Sequence, residues 1–543
     1  MGKIKKLLSV ILMLCMVLSL VACGSKGGEK DDDKNPSGNT GNQDDTDDGK
    51  DDPTDTPTEE PAIDTSEKVD LVFYVMGDAP VDEVLVEEEI NKILLEKINA
   101  TIDFQFSTWT DWAQKYNLEL TSGQSDMIYV ANWNSYGTLA TAGAFLELDE
   151  LLPTYAPNIL ATVDEGLLNM CKVDGTLYSI PGTWPEYTVN GIKYREDLRV
   201  KYDLPVPNSL ENFEAYLLGI KEKDPNQGLL TVTTAESSGL VTAFDAANVF
   251  NLKYPWITNN AFPYGLAADY NTPADVYDYW YSEDFVEDMK LMKKWADLGF
   301  WSRSALSDPN NDESFKTGLC VAEVAGQNPN KHITAVTDFA KENPDWTSAY
   351  LAYGEVTGVL YPASAIQNAT AIVRDSENPE RALMALDLMF TDQTLNNLVQ
   401  AGIEGTHYEI DANGYYKNLS ENFKYEGFNT WNLRNNDYKL KQESDKLLSE
   451  MSAKYAEIGD KTKFPNVNIY SNFTENYDEY QVERAAVSDV MRQYLAPIQA
   501  GLVDDVEAEI AKFLEKAEAA GLTTCRDAFK EQWAAYCEEY GYK

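Results

Sequence analysis

Aromatic side chains recur beside acids and amides along this chain, at positions that the sequence pattern places in loops. Trp109 stands with Asp111 and Trp112, Asn132 and Asn134 flank Trp133 with Tyr136 close behind, and Trp184 precedes Glu186 and Tyr187. Tyr254 with Trp256, Tyr353 with Glu355, and Trp431 with Asn432 and Arg434 extend the pattern. An indole or phenol ring packs flat against the C–H face of a ring solute, while carboxylates, amides and guanidinium groups bond its hydroxyls. A sugar offers both surfaces. The candidate contact residues are therefore Asp78, Trp109, Trp133, Asn134, Trp184, Glu186, Trp256, Tyr353 and Trp431. Core packing is the competing role for each aromatic.

Other kinds of chemistry are thinly supplied. His332 and His407 are the only histidines, which disfavours a His-rich metal site and leaves little choice of imidazole base. No G-x-x-x-x-G-K-[ST] phosphate loop occurs; the Gly-Lys pairs are Gly2-Lys3 and Gly49-Lys50. The segment from Asp308 to Glu313 starts like a calcium loop but has Glu313 where the turn glycine belongs and Leu319 where the closing Glu belongs. No cofactor is expected. With 90 Asp+Glu, two carboxylates spaced for glycoside hydrolysis could meet in any cleft, so composition leaves that reading open.

The acids outnumber 44 Lys+Arg, giving a formal net charge of −46. That excess argues against nucleic-acid binding and against a body held electrostatically to anionic lipid. A hydrophobic content of 43%, with 32 Tyr, 19 Phe and 11 Trp, is ample for a large core, and 543 residues suggest two or three folding units.

The first segment, 1–22, reads as an address. Lys3, Lys5 and Lys6 precede an apolar run from Leu7 to Val21, too short with its flanks for a spanning helix. It ends Leu20-Val21-Ala22-Cys23 with Gly24-Ser25 following, similar to a bacterial lipobox, whose cysteine is acylated as the leader is removed. Cys23 would then be the first mature residue and the anchor, and two acyl chains hold durably where one does not. Residues 23–65 are rich in Asp, Gly, Asn, Thr and Pro and poor in apolar groups. They are expected to be a disordered tether with a reach of roughly 35 Å.

From residue 66 strands and helices alternate. Residues 69–75 read as a strand ending at Gly77-Asp78, and Val81 to Ile98 recur at helical spacing. Residues 100–106 and 126–130 are further strands, with a helix over 111–120 between them. This β-α-β-α-β order predicts a parallel sheet, whose ligands sit beyond the carboxyl ends of its strands. Those ends are the loops at Gly77-Asp78, Ser107-Thr108-Trp109 and Ala131-Asn132-Trp133-Asn134. A helix is expected around 146–152 and a hairpin over 173–181. Another helix spans 213–220 behind Asn208 and Glu211 as a capping pair, and one starts at Asn378-Pro379. The tail from about 481 to 540 is helical with breaks at Pro497 and Gly521. Cys525 and Cys537, twelve apart on one predicted helix, would lie about 18 Å apart, too far to pair there. Scattered buried thiols are the expectation.

The order of these segments resembles a known family. After the lipobox and tether come Ser122-Gly123-Gln124-Ser125-Asp126-Met127-Ile128, Gly143-Ala144-Phe145-Leu146-Glu147-Leu148-Asp149, Asp174-Gly175-Thr176-Leu177-Tyr178-Ser179-Ile180-Pro181 and Tyr194-Arg195-Glu196-Asp197-Leu198. They are similar to the extracellular solute-binding lipoproteins of bacterial ABC importers, in the class that carries oligosaccharides. Glu87-Glu88-Glu89-Ile90-Asn91, Glu96-Lys97-Ile98-Asn99-Ala100-Thr101 and Gly402-Ile403-Glu404-Gly405-Thr406-His407-Tyr408-Glu409 resemble the LipO-like subgroup more closely, as does Tyr494-Leu495-Ala496-Pro497-Ile498 with Gly501.

The resemblance covers residues 66–543. It implies a two-lobed α/β fold of the type II periplasmic-binding-protein kind, joined by crossing strands, with a helical C-terminal region. Lobe 1 would hold about 66–180 plus segments that return later, and lobe 2 would begin near 185. It further implies a monomer on the outer face of a Gram-positive cell membrane. That monomer would capture a carbohydrate by hinge closure and serve a permease whose ATPase is a separate chain. Glu404 and His407 either line the cleft or make hydrogen bonds in the core. A peptide, metal or polyamine as the captured solute, and an anchored glycoside hydrolase, are the alternative readings.

Overall fold

The apolar runs near residues 72 and 128 become neighbouring strands buried on both faces, as parallel strands under helices must be. The computed structural model describes residues 63–543 apart from 109–111, 184–185, 188–189, 238–239, 256–261, 308–312, 466 and 471–472. The leader, Cys23 and almost all of the expected tether lie outside the described residues. The strands that place the site are β1 (Val69–Met76), β2 (Ala100–Ser107), β3 (Met127–Val130), β4 (Ser179–Pro181), β5 (Gly191–Arg195), β6 (Ala322–Glu323), β7 (Ser348–Ala352) and β8 (Ala369–Ile372).

Five of them form one sheet in the order β2-β1-β3-β8-β4. β1 and β2 run parallel from Val69 opposite Ala100 to Met76 opposite Ser107, and β3 joins in parallel with Phe73 opposite Met127. β8 then inserts antiparallel between β3 and β4, with Ala369 opposite both Val130 and Pro181. One edge of this sheet therefore collects the carboxyl ends of β1, β2, β3 and β4 together with the amino end of β8. Helices such as Glu83–Ile98, Pro379–Thr391 and Gln393–Ala401 cover it. Val86, Ile90, Leu94 and Ile98 sit at the helical repeat that turns one stripe inward.

The second half is built on the three-stranded antiparallel sheet β6-β5-β7, in which all five residues of β5 are buried. Its core spans residues 192–353 and 480–537, whereas the first core spans 71–180 and 366–433. The chain thus leaves the first half after β4, returns before β8, and leaves again after Leu433. The architecture is two-lobed α/β with a helical C-terminal region. The C-terminal helices complete the second core; Trp533, fully buried, donates its indole N–H to the Pro273 carbonyl at 2.6 Å and packs edge-on to Phe262 and Phe473.

Several local expectations change. The helix expected over 146–152 forms only at Leu152–Tyr155, because Phe145 is spent bridging Val373 and the following residues hydrogen-bond to other segments. Ser209, not Asn208, caps the helix Leu210–Lys223, accepting the Asn212 N–H at 3.1 Å. Pro497 does not break its helix. A π-helical stretch, Met491–Leu495, precedes it, and the helix continues through Ala496–Gln499 before Gly501 ends it. The i+5 pattern removes the need for the N–H that proline lacks. Gly521, at φ 101°, is the break that the sequence indicates. Cys171, Cys320, Cys525 and Cys537 are buried free thiols.

His332, on the helix Pro329–Glu342, is 6% exposed and meets the Ser348 hydroxyl at 3.1 Å. Burial, with Lys193 adding to it, lowers its pKa to about 4. An unfolded His takes a proton near pH 6.5, so between pH 6.5 and 4 the unfolded chain binds the extra proton and acidification favours unfolding. Stability should be present above pH 6.5 and fall by roughly 2–3 kcal/mol through that window on this account. Urea midpoints at pH 7 and pH 4.5 should drop less in His332→Gln than in the parent; an equal drop refutes it.

Candidate functional site

The sheet order decides where a site can form. β4 runs from the shared edge straight into the first crossing at Gly182, and the second crossing enters β8 from the same edge. The Gly182 N–H bonds the Asn368 carbonyl at 3.0 Å, and the Thr183 N–H bonds the Arg434 carbonyl at 2.9 Å. All three crossings are therefore laced together where the strands end. A side chain on Gly182 would crowd the Trp431 and Arg434 carbonyls, at 3.0 and 3.3 Å, so this close approach favours glycine. Further along, the Ala363 N–H bonds the Glu186 carbonyl at 2.9 Å. Leu360 and Tyr455, from the second and third crossings, pack with Ala352 and Tyr187.

Aromatic rings gather at this edge. Trp133 lies in the 3-10 turn Asn132–Asn134 that follows β3, held by the Asn134 amide oxygen, which accepts the Ala131 N–H at 3.0 Å. Trp112 opens the helix Trp112–Ser122 and meets Trp133 at 5.4 Å and 86°. Tyr129 lies 6.2 Å from Trp133 and 6.2 Å from Trp431, edge-on to the latter. Beneath them Tyr116 donates its hydroxyl to the Tyr129 carbonyl at 2.9 Å, and Tyr129 bonds the Gln367 carbonyl and the Asn368 amide at 2.9 and 2.7 Å. Burial holds both phenols well above their ordinary pKa, so they stay neutral donors. The two tyrosines are buried while the three indoles are partly exposed. Edge-to-face packing fixes the indoles without covering them.

Three residues beyond Trp431, Arg434 carries the charge of the site. Its Nε and Nη2 donate to the Glu426 carboxylate at 2.5 and 2.9 Å, and its Nη1 bonds Glu186 from the first crossing. The three side chains are 10, 18 and 15% exposed. Burial works against the guanidinium charge, but the two carboxylates outweigh it and raise the pKa above the ordinary value.

Trp133, Asn134, Glu186 and Trp431 are thus brought together around Tyr129 and Arg434. Asp78 is exposed on the same edge, its backbone carbonyl accepting the Asn429 amide at 2.9 Å. Tyr353 is elsewhere. It is 1% exposed, donates its hydroxyl to the Val324 carbonyl at 2.7 Å, and belongs to the second core. Trp109, Trp184 and Trp256 lie outside the described residues, as does the calcium-like stretch 308–312. Of the two roles open to His407, the structure has the core one: fully buried, it accepts the Ile403 N–H at 2.9 Å and faces Asp82 at 3.3 Å. Glu404 is exposed.

Tyr129 and Glu426 were invisible to motif reading, the first inside an apolar strand and the second in a stretch without pattern. Among the described residues no cluster of three His, Cys, Asp or Glu could hold a metal. An open depression of about 160 Å³ beside Asp149, Glu165 and Lys172 touches none of the residues gathered at the sheet edge.

Residues 79–394 match the model of the bacterial extracellular solute-binding proteins. The chain belongs to that family. Residues 469–538 match a second model, a domain of unknown function (DUF3502). Among curated proteins the chain is 25% identical over 488 residues to a carbohydrate ABC transporter substrate-binding protein of Streptococcus pneumoniae, covering 85% of this chain and 89% of that one. It is 22% identical over 379 residues to lipoprotein LipO of Bacillus subtilis, covering 63% and 70%. Among solved structures it resembles NgtS, the N-glycan transport solute binding protein of Streptococcus pneumoniae, in complex with Man1GlcNAc. The TM-score is 0.65 at 20% identity, over 87% of this chain and 100% of that one. The two-lobed fold is shared. Among the described residues no helix is long and apolar enough to cross a membrane.

Arg434→Ala should be severe, because it strands two largely buried carboxylates without a counter-charge. A loss of about 3–5 kcal/mol is expected, read as a lowered urea midpoint; a change within ~0.5 kcal/mol would remove the ion network from this role.

Proposed function

We propose that this solute-binding protein captures an oligosaccharide between its lobes and hands it, unaltered, to a permease driven by a separate ATPase. The observation that carries the reading is the set of partly exposed indoles, Trp112, Trp133 and Trp431, fixed edge-on at the strand ends beside all three crossings. Rings held this way present flat apolar area to a sugar, and the neighbouring Glu186, 15% exposed, suits its hydroxyls. The carbohydrate named for the pneumococcal relative and the glycan in the NgtS complex support the same solute class. The crossings next to the rings suit hinge closure, which would add the second lobe's contacts to a ligand seated on the first.

The lipobox at Cys23 and the acidic segment after it support an acylated anchor and a tether on the outer face of the membrane. In this reading 1–22 is the leader and 23–65 the tether. The first lobe then combines about 66–180 with the returning segment 366–433, and the second combines 192–353 with the tail. The protein acts as a monomer, with no catalytic residue and no cofactor.

Labelled oligosaccharides incubated with excess protein should be retained at full length, and shortened products would replace capture by hydrolysis. Trp133→Ala and Trp431→Ala should each weaken glycan binding at least tenfold in calorimetry while leaving the urea midpoint within ~2 kcal/mol. Unchanged affinity in both would take the site away from this edge.

A further inference from the structure

We propose that the site admits electrically neutral glycans and rejects those bearing carboxylates, such as uronate chains. The inference rests on the carbohydrate reading above and concerns the charge of the sugar. An acidic sugar buried in a cleft needs a cation, best of all the two-pronged fork of an arginine. Among the described residues, the guanidinium that the fold brings to the indoles is Arg434, and its fork is committed. Nε and Nη2 hold Glu426 and Nη1 holds Glu186. One cation against two carboxylates leaves this largely buried spot net negative. An incoming carboxylate would have to displace one of them and leave it buried without a counter-charge. Exposed Asp78 adds another negative charge on the same edge.

Among the described residues of the third crossing, Lys439 is paired with Asp445 and Lys454 with Glu355. Lys115 is exposed on the helix that Trp112 opens and is already engaged in an interaction of its own. In the second lobe, Lys253 sits between Asp284 and Asp288 at 3.2 and 3.3 Å. The recognition that remains uses apolar ring faces and hydroxyl bonds, and neither needs charge on the ligand.

Calorimetry on the full-length chain can test this with neutral manno- and gluco-oligosaccharides beside oligogalacturonates and alginate oligomers of matched length. At least one neutral glycan should bind, and each acidic counterpart should bind at least tenfold more weakly. Lys115→Gln should leave the neutral affinity within about twofold. An acidic glycan bound as tightly as its neutral match would overturn the charge assignment while carbohydrate capture stood. A tenfold loss in Lys115→Gln would do the same. Binding of peptides or polyamines with no glycan retained, neutral or acidic, would instead remove the carbohydrate reading and this inference with it.

Discussion

The contact between Arg434 and its two carboxylates ties the first crossing, the third crossing and the last stretch of the first lobe through their side chains, beside the Thr183–Arg434 backbone bond. Glu186 sits in the first crossing, Arg434 at the start of the third, and Glu426 in the last stretch of the first lobe. Taking three charges out of water is expensive, and an apolar trio of the same volume could hold the segments as firmly. What hydrophobic packing would not supply is a fixed register, since greasy side chains slide past one another more readily than a bidentate fork does. In this protein the register matters because Trp431 is three residues away. If the third crossing shifted, the ring against Tyr129 would shift with it.

The sheet explains why the partly exposed indoles and the crossings share one place. Parallel strands point their carboxyl ends the same way, and β8 returns antiparallel, so its amino end arrives among them. A chain that leaves from β4 and comes back through β8 must cross at that edge. In the second lobe the same logic operates with fewer strands. β5 begins and β7 ends side by side, Gly191 opposite Ala352, and the Tyr353 N–H reaches the Asn190 carbonyl at 3.0 Å. Tyr353 therefore serves as the footing of a crossing and not as part of a ligand wall.

Much of the first lobe was legible because its signals are local. β1 and β3 are nearly unbroken apolar runs, and the helix between β1 and β2 shows its stripe directly. Loops at the strand ends can be nominated from strand order alone, and Trp133 and Asp78 do lie at the edge where those strands end. β8 was not legible: Ala-Thr-Ala-Ile has no distinctive period, and the partners that bury it lie at 127–130 and 179–181. The ion network was hidden for the same reason, as Glu186 and Arg434 are brought together by topology over 248 positions of sequence. Tyr353 misled because an aromatic followed by Gly-Glu looks like a loop, whereas its neighbours from distant segments make it core. The helix expected near 146 failed where Phe145 found a strand partner at Val373 instead.

The division of the two cores along the chain has a consequence for biogenesis. The first is assembled from residues up to 433, whereas the second draws on the helices reaching 537. In vectorial synthesis and export, one half can reach its native packing while the other still waits for its closing helices. Over that interval Phe262, Trp280 and Trp301 lack their tail partners Trp533, Phe513 and the Ala500 carbonyl. Quality-control proteases and chaperones would meet that exposed face first, so premature stop codons near the end of the gene should be felt in secretion yield before they are felt in ligand affinity.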